Sequence, residues 1–246
     1  MKKNKSDLKI LLLQIRHDER VKIEEHNSFA EYSTLHKNQI DILNVFDRPD
    51  FKITEVEGYD ALFVGGASSA NVLKPDENPF LEKCRELLRH CLKNGIPVFA
   101  SCFGFQLAVQ ALGGEIIHKE KDFEMGCLLI SLSEAAQNDP LLFDTPNNFL
   151  AITVHQQLAL KEPDGCELLG YTENCSHIFR VKGKPFWAFQ FHPEVDKKTM
   201  VDRLTIYKKK YTDDDTHLDE ILSSAQETPE SNILVQKFVE RVLLLK

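Results

Sequence analysis

The chain of 246 residues contains no run of about eighteen apolar residues, so no membrane-spanning helix is expected. Near the N-terminus, the apolar run Ile10 to Leu13 is too short for the core of a signal peptide, and a cytoplasmic location is expected. Also missing is any C-x-x-C or paired spacing among the cysteines at 84, 91, 102, 127, 166 and 175. A chain this long needs no disulfide framework, so reduced thiols fit best. Cys175 and His177 would supply half of a metal site, yet no second pair stands at a finger-like spacing. No metal and no cofactor are therefore expected. Positive charge is in short supply: 30 Lys and Arg face 38 Asp and Glu, a formal net charge of −8. That argues against a nucleic-acid partner, whose affinity rests on neutralising phosphates. Internal repeats and low-complexity tracts are absent as well.

What is present suits a full core. At 42% hydrophobic, the chain can bury one α/β domain or a domain with an appendage. Leu8 to Ile15, Ile40 to Phe46 and Tyr59 to Gly66 read as strands, with a helix around Ser28 to His36 between the first two. Pro79 to Asn94 is an amphipathic helix, because Phe80, Leu81, Cys84, Leu87, Leu88 and Cys91 recur at three- and four-residue steps. Gly95 and Pro97 end it. Strand and helix in alternation predict a doubly wound, mostly parallel sheet with helices on both faces. From Gly114 to Glu194 short strands follow, and Gly183-Lys184 marks a hairpin turn, which predicts an antiparallel extension of the same domain. Lys208 to Asp215 is a charge block that reads as a solvated segment. Ser223 to Ser231 reads as a connection, and Ser231 as the cap of a C-terminal helix with an apolar stripe.

The chain is organised around Asn94 to Gly114, a strand (Ile96 to Ala100), a tight turn carrying Cys102 and a helix from Phe103 to Leu112. A helix N-terminus aimed at the thiol stabilises its thiolate, and Gly104 lets the turn close. From this stretch alone a buried, inert cysteine is an equal reading. The second feature is Phe186 to Glu194, an apolar strand running out into His192-Pro193-Glu194. Residues two apart on a strand share a face, so His192 and Glu194 can enter one pocket. A thiol needs a base, and the imidazole needs a carboxylate to hold its tautomer.

Together Cys102-Phe-Gly-Phe-Gln106, Gly65-Gly66 at a strand end and Phe191-His-Pro-Glu194 resemble the class I (triad) glutamine amidotransferase domain over roughly residues 8 to 200. The resemblance implies a flavodoxin-like α/β fold, with residues 1–200 as the domain and 201–246 as a C-terminal helical extension packed on it. It also implies a nucleophile that attacks the side-chain amide of glutamine, forming a γ-glutamyl thioester and ammonia. Position by position, Cys102 is the nucleophile, His192 the general base and acid, and Glu194 its orienter. The backbone N–H groups of Gly66 and Phe103 would form the oxyanion hole. Gln106, His155 and Gln156 are candidate substrate contacts. The chain departs from the family pattern at Ala100, where glycine is usual. It departs again at Gly65-Gly66-Ala67-Ser68-Ser69 in place of Gly-Gly-Pro, and in Val154-His155-Gln156-Gln157, which lacks the usual aspartate. No acceptor domain is evident, which implies a free-standing enzyme serving a separate synthetase subunit, the acceptor of its ammonia. A γ-glutamyl conjugate hydrolase with the same triad is the alternative. A non-catalytic binding or regulatory relative is a third, against which the intact triad speaks.

Overall fold

The apolar run Ile10–Ile15 is buried at every position of strand β1, whose side chains alternate between two cores. Leu11, Leu13 and Ile15 face one hydrophobic cluster, while Ile10 and Leu12 face the other. The neighbouring strands β2 (Ile40–Asn44), β3 (Ala61–Ala67) and β4 (Val98–Ser101) lie parallel to it in the order β2-β1-β3-β4. In this computed structural model, residues 3–119, 123–206 and 221–245 are described. Helices α2 (Leu81–Asn94) and α3 (Phe103–Ala111) cover the face that holds Leu62, Val64 and Val98. Helix α1 (Glu19–Ser33) and the C-terminal α5 (Pro229–Phe238) cover the other, with Ala61, Phe63 and Phe99. Phe238 is fully buried in that side, its ring 5.4 Å from Phe99, 5.9 Å from Trp187 and 6.0 Å from Phe63. Burying an aromatic of this size is worth about 2–3 kcal/mol. This anchors α5 to the sheet.

Beyond β4 the sheet changes direction. Strand β11 (Phe186–Phe189) pairs with β4 in parallel, and β10 (Ser176–Val181), β9 (Cys166–Tyr171), β6 (Glu124–Leu132) and β7 (Asn148–His155) continue antiparallel, giving nine strands. A small ladder of β5 (Ile117–His118) and β8 (Gln157–Leu158) stands apart. The flavodoxin-like sheet with an antiparallel extension is thus what the chain builds. Helix α4 (Lys197–Ile206) follows the last strand and packs Met200 and Leu204 against Met125, Ile152 and Val195.

Two local expectations change. Helix α1 begins at Glu19, well before Ser28, because the Asp18 side chain accepts from the N–H groups of Arg20 and Val21 and so caps it. Its apolar stripe is too thin to show in the sequence, since Glu25 and Ser28 are among its buried residues. At the other end, Ser231 is not the cap. The final helix opens on Pro229, which suits the first helical position because its missing N–H would have no partner there. The Lys208 to Asp215 block lies outside the described residues, as does most of the acidic 211–226 segment.

Candidate active site

Strand β4 ends at Ser101, and Cys102 turns the chain into α3 with φ 50° and ψ −100°. Backbone of this kind is strained for any residue with a Cβ, by about 1–3 kcal/mol. Neighbouring bonds hold it: Cys102 N–H donates to Phe189 O at 2.7 Å, and Gln106 N–H to Cys102 O at 3.2 Å. Close approach does the rest. A Cβ on Gly104 would stand 2.8 Å from Val64 O, so only glycine lets α3 start this near β3. Phe103 is the first residue of α3, where backbone N–H groups have no intrahelical partner. Ala100, in the place where the family usually has glycine, is fully buried between Val64 and Ala188 and fits.

His192 follows β11 and is fixed by its own N–H, which donates to Ile152 O of β7 at 2.9 Å. Its Nδ1 stands 2.7 Å from Glu194 Oε1, with both side chains buried. Burial alone would lower the His192 pKa; the charges of Cys102 and Glu194 outweigh it and raise it to about 9. Burial would likewise raise Glu194, but the His192 charge and hydrogen bond hold it below the usual carboxylate range. Elsewhere in the helical and sheet cores, burial pushes the thiols of Cys84, Cys91 and Cys166 up to about 12. Cys102 Sγ is 4.0 Å from Val154 O.

A raised histidine pKa means the proton is held below the ordinary 6.5 and lost as pH rises through about 9. Its contribution to stability runs the same way, complete below 6.5 and gone above 9. NMR titration of the His192 ring is expected to show a midpoint near 9. In Cys102→Ser it should move down, since the thiolate charge is the largest favourable influence on it. An unchanged midpoint in that variant would separate His192 from Cys102.

Beside His192 is a small pocket of about 30 Å³, lined also by Arg16, Ser68, Val154, Met200 and Arg203 among others. That is room for a water molecule and not for an amino acid. Arg16 and Glu25 close it as a buried pair, Nε to Oε1 at 2.8 Å, and Arg16 Nη1 donates to Ser68 Oγ at 2.7 Å. The same Glu25 oxygen accepts from Gly66 N–H at 3.2 Å. The expected oxyanion donor is therefore engaged by a carboxylate, which a substrate oxygen would have to displace. Glycine is required at 66, because a Cβ there would lie 2.7 Å from Arg16 Nη2 and 2.8 Å from His192 Cε1. Arg203 enters from α4 and holds Glu24 at 2.6 and 3.1 Å.

The candidate substrate contacts divide. Gln106 is buried, and its Nε2 donates to Gln157 O at 3.0 Å, tying α3 to the segment after β7. Gln156, next to Gln157 in the chain, is half-buried. His155 departs from the expectation: its ring is buried, with Nε2 3.1 Å from Glu124, so it is turned away from the pocket's lining. Arg16, Glu25, Ser68 and Arg203 were not expected at the site. For Arg16 a signal existed, since it directly follows β1 at the carboxyl edge of a parallel sheet, where ligands bind.

Comparison with known proteins gives the family. A glutamine amidotransferase class-I family model matches residues 24–208. One subunit of the glutamine-hydrolysing GMP synthase of Methanocaldococcus jannaschii is 31% identical over 118 residues, which is 48% of this chain and 61% of that relative. The glutamine-hydrolysing GMP synthase of Dehalococcoides mccartyi is 30% identical over 172 residues, 68% of this chain and 30% of that protein. The chain thus spans less than two thirds of the curated relatives it matches. Among solved structures, a glutamine amidotransferase of Thermotoga maritima superposes with a TM-score of 0.77 at 19% identity, covering 96% of this chain and 98% of that one. One from Methylobacillus flagellatus gives 0.69 at 18%, covering 97% and 92%. At such identities these two speak to the fold. The family match, reaching from α1 through the His192 segment into α4, shows that the chain belongs to the class-I glutamine amidotransferases.

Proposed function

We propose that this chain hydrolyses the γ-amide of glutamine through a thioester on Cys102, releasing ammonia for a separate synthetase subunit. The observation that carries the reading is the strained Cys102 turn at a helix start, in one buried site with the hydrogen-bonded His192–Glu194 pair. The Cys102 thiolate attacks the amide carbon, and the carbonyl oxygen takes the negative charge. Phe103 N–H at the start of α3, and Gly66 N–H once Glu25 moves aside, are the donors placed to receive that charge. His192 gives its proton to the departing nitrogen, so ammonia leaves and a γ-glutamyl thioester remains. His192 then takes a proton from water; the hydroxide attacks the thioester, and glutamate leaves as the thiolate returns. Glu194 keeps the imidazole oriented through both proton transfers.

A separate acceptor is supported by the M. jannaschii relative, which is named as one subunit of a synthase. The test is a panel of free glutamine, γ-glutamyl dipeptides and glutathione-like conjugates, scored for glutamate and for the released amine. Ammonia from glutamine is expected, and more of it when a synthetase partner recovered by pull-down is present. Amines released only from conjugates would replace this reading with that of a γ-glutamyl conjugate hydrolase. No turnover of any member, with no labelling of Cys102 by a glutamine-like electrophile, would leave a non-catalytic relative.

A further inference from the structure

Behind the catalytic strand lies a second cluster that the reaction does not use. Glu124 opens β6, His155 closes β7 opposite it in register, and Cys175 and His177 stand at the start of β10. One ligand atom from each lies within 4.8 Å of the others, and all four residues are buried. The other three converge on a single oxygen, Glu124 Oε2: His177 Nε2 at 2.7 Å, His155 Nε2 at 3.1 Å and Cys175 Sγ at 3.5 Å. The carboxylate's second oxygen is held from outside by Thr172 Oγ1 at 2.6 Å and Asn174 Nδ2 at 3.3 Å. Outer contacts of this kind aim a carboxylate ligand. The protein alone satisfies the cluster poorly. His155 makes no well-aligned hydrogen bond at either ring nitrogen, and His177 Nδ1 has no partner. A buried polar atom without a partner costs roughly 1–3 kcal/mol, so an unpaired imidazole here needs a reason.

From this convergence we infer that Glu124, His155, Cys175 and His177 form a structural zinc site. Two neutral imidazoles, a thiolate and a carboxylate match the donor preferences of Zn²⁺. The charges also close: one divalent cation against two anionic ligands leaves a neutral centre, the form that tolerates burial. Tetrahedral zinc places its ligand atoms roughly 3.3–3.6 Å apart, from bonds of about 2.0–2.3 Å. To reach that spacing the 2.7 and 3.1 Å contacts to Glu124 Oε2 would open slightly and the wider separations, all within 4.8 Å, would close. With four protein ligands and no opening to solvent, the ion is a clamp and not a catalyst. Binding displaces the Cys175 proton to solvent. What the clamp holds is the far end of β7, whose Ile152 O fixes His192 N–H and whose Val154 O lies near Cys102 Sγ. The sequence spacing hid the site because its ligands come from three strands, and only Cys175 and His177 are neighbours in the chain.

The test uses the full chain in the Cys102→Ser background, so that the catalytic thiol cannot bind the added metal. After treatment with a chelator, calorimetric titration with Zn²⁺ is expected to give one ion per chain, and the melting temperature should rise with Zn²⁺. Cys175→Ser and His177→Ala should each weaken binding by about tenfold or more. Co²⁺ in place of zinc should give tetrahedral d–d bands with a thiolate-to-cobalt charge-transfer band, and Cys175→Ser should lose the latter. Failure to bind Zn²⁺ stoichiometrically would overturn the site, as would affinity undiminished in both variants or a cobalt spectrum without the thiolate band. The cobalt spectrum is read on protein with all four ligands intact, so a folding defect in one variant does not decide the outcome.

Discussion

Cys102→Ala should lower γ-glutamyl hydrolysis by about four orders of magnitude or more, roughly 5.5 kcal/mol of transition-state stabilisation. The size follows from the chemistry. Without the sulfur no thioester forms, and water must attack the amide in one step, helped only by binding and by oxyanion donors. The fold should survive the change. Apart from its interaction with His192, the thiol's contact is a weak one, 4.0 Å to Val154 O, and alanine keeps the Cβ that the turn already accommodates. Steady-state release of glutamate, measured beside circular dichroism and a melting curve, checks both halves. Full activity in a folded Cys102→Ala protein would remove the nucleophile assignment. Equal loss in His192→Ala is expected as well, since residues of one catalytic unit fail together and their effects do not add.

Much of this site is legible in the chain itself, for physical reasons that differ from residue to residue. Cys102 and Gly104 show because a nucleophile turn leaves a local mark: apolar strand, small residues, then helix. His192 and Glu194 show as a His-Pro-Glu run at the end of an apolar strand. Strand β11 stops at Phe189, however, and the two side chains meet across the turn beyond it and not along a strand. The parallel half of the sheet shows because strands buried on both faces are continuous apolar runs, as in Ile10–Ile15 and Ala61–Ala67. What did not show is polar and buried. Helix α1 carries Glu25 and Ser28 on its inner side, so its stripe is broken where it meets the site. Arg16 directly follows β1 and Glu25 lies in α1, nine residues on, so their pairing leaves no local mark in the sequence. His155 is a substrate-contact candidate by the family resemblance of the 154–157 segment, yet its ring turns to Glu124, whose own position gives no hint. Tertiary pairing, not local pattern, decides such residues.

Glu25→Ala should destabilise the protein by about 3–5 kcal/mol, because it leaves the Arg16 guanidinium buried without its counter-charge. The Arg16 side chain is 3% exposed and that of Glu25 is 0%, so water cannot take the missing partner's place without opening the site. Ser68 Oγ would remain as a neutral acceptor for Nη1, which is too little for a full charge. Gly66 N–H would lose its acceptor in the same step. For a chain of this size the loss corresponds to roughly 10 °C in melting temperature. Glu25→Gln should lie between the two, since its amide oxygen can still accept from Gly66 N–H while the charge is gone. Urea unfolding of both variants gives the numbers, and a loss below about 1 kcal/mol in Glu25→Ala would rule out an uncompensated buried charge. Pairing Glu25→Leu with Arg16→Met should restore most of the stability, because removing both charges also removes both desolvation costs. That double variant separates two roles of the pair. If it folds well but hydrolyses glutamine poorly, Arg16 and Glu25 serve the substrate more than the fold. If it does both well, the pair is a stopper over Gly66 that the reaction can do without.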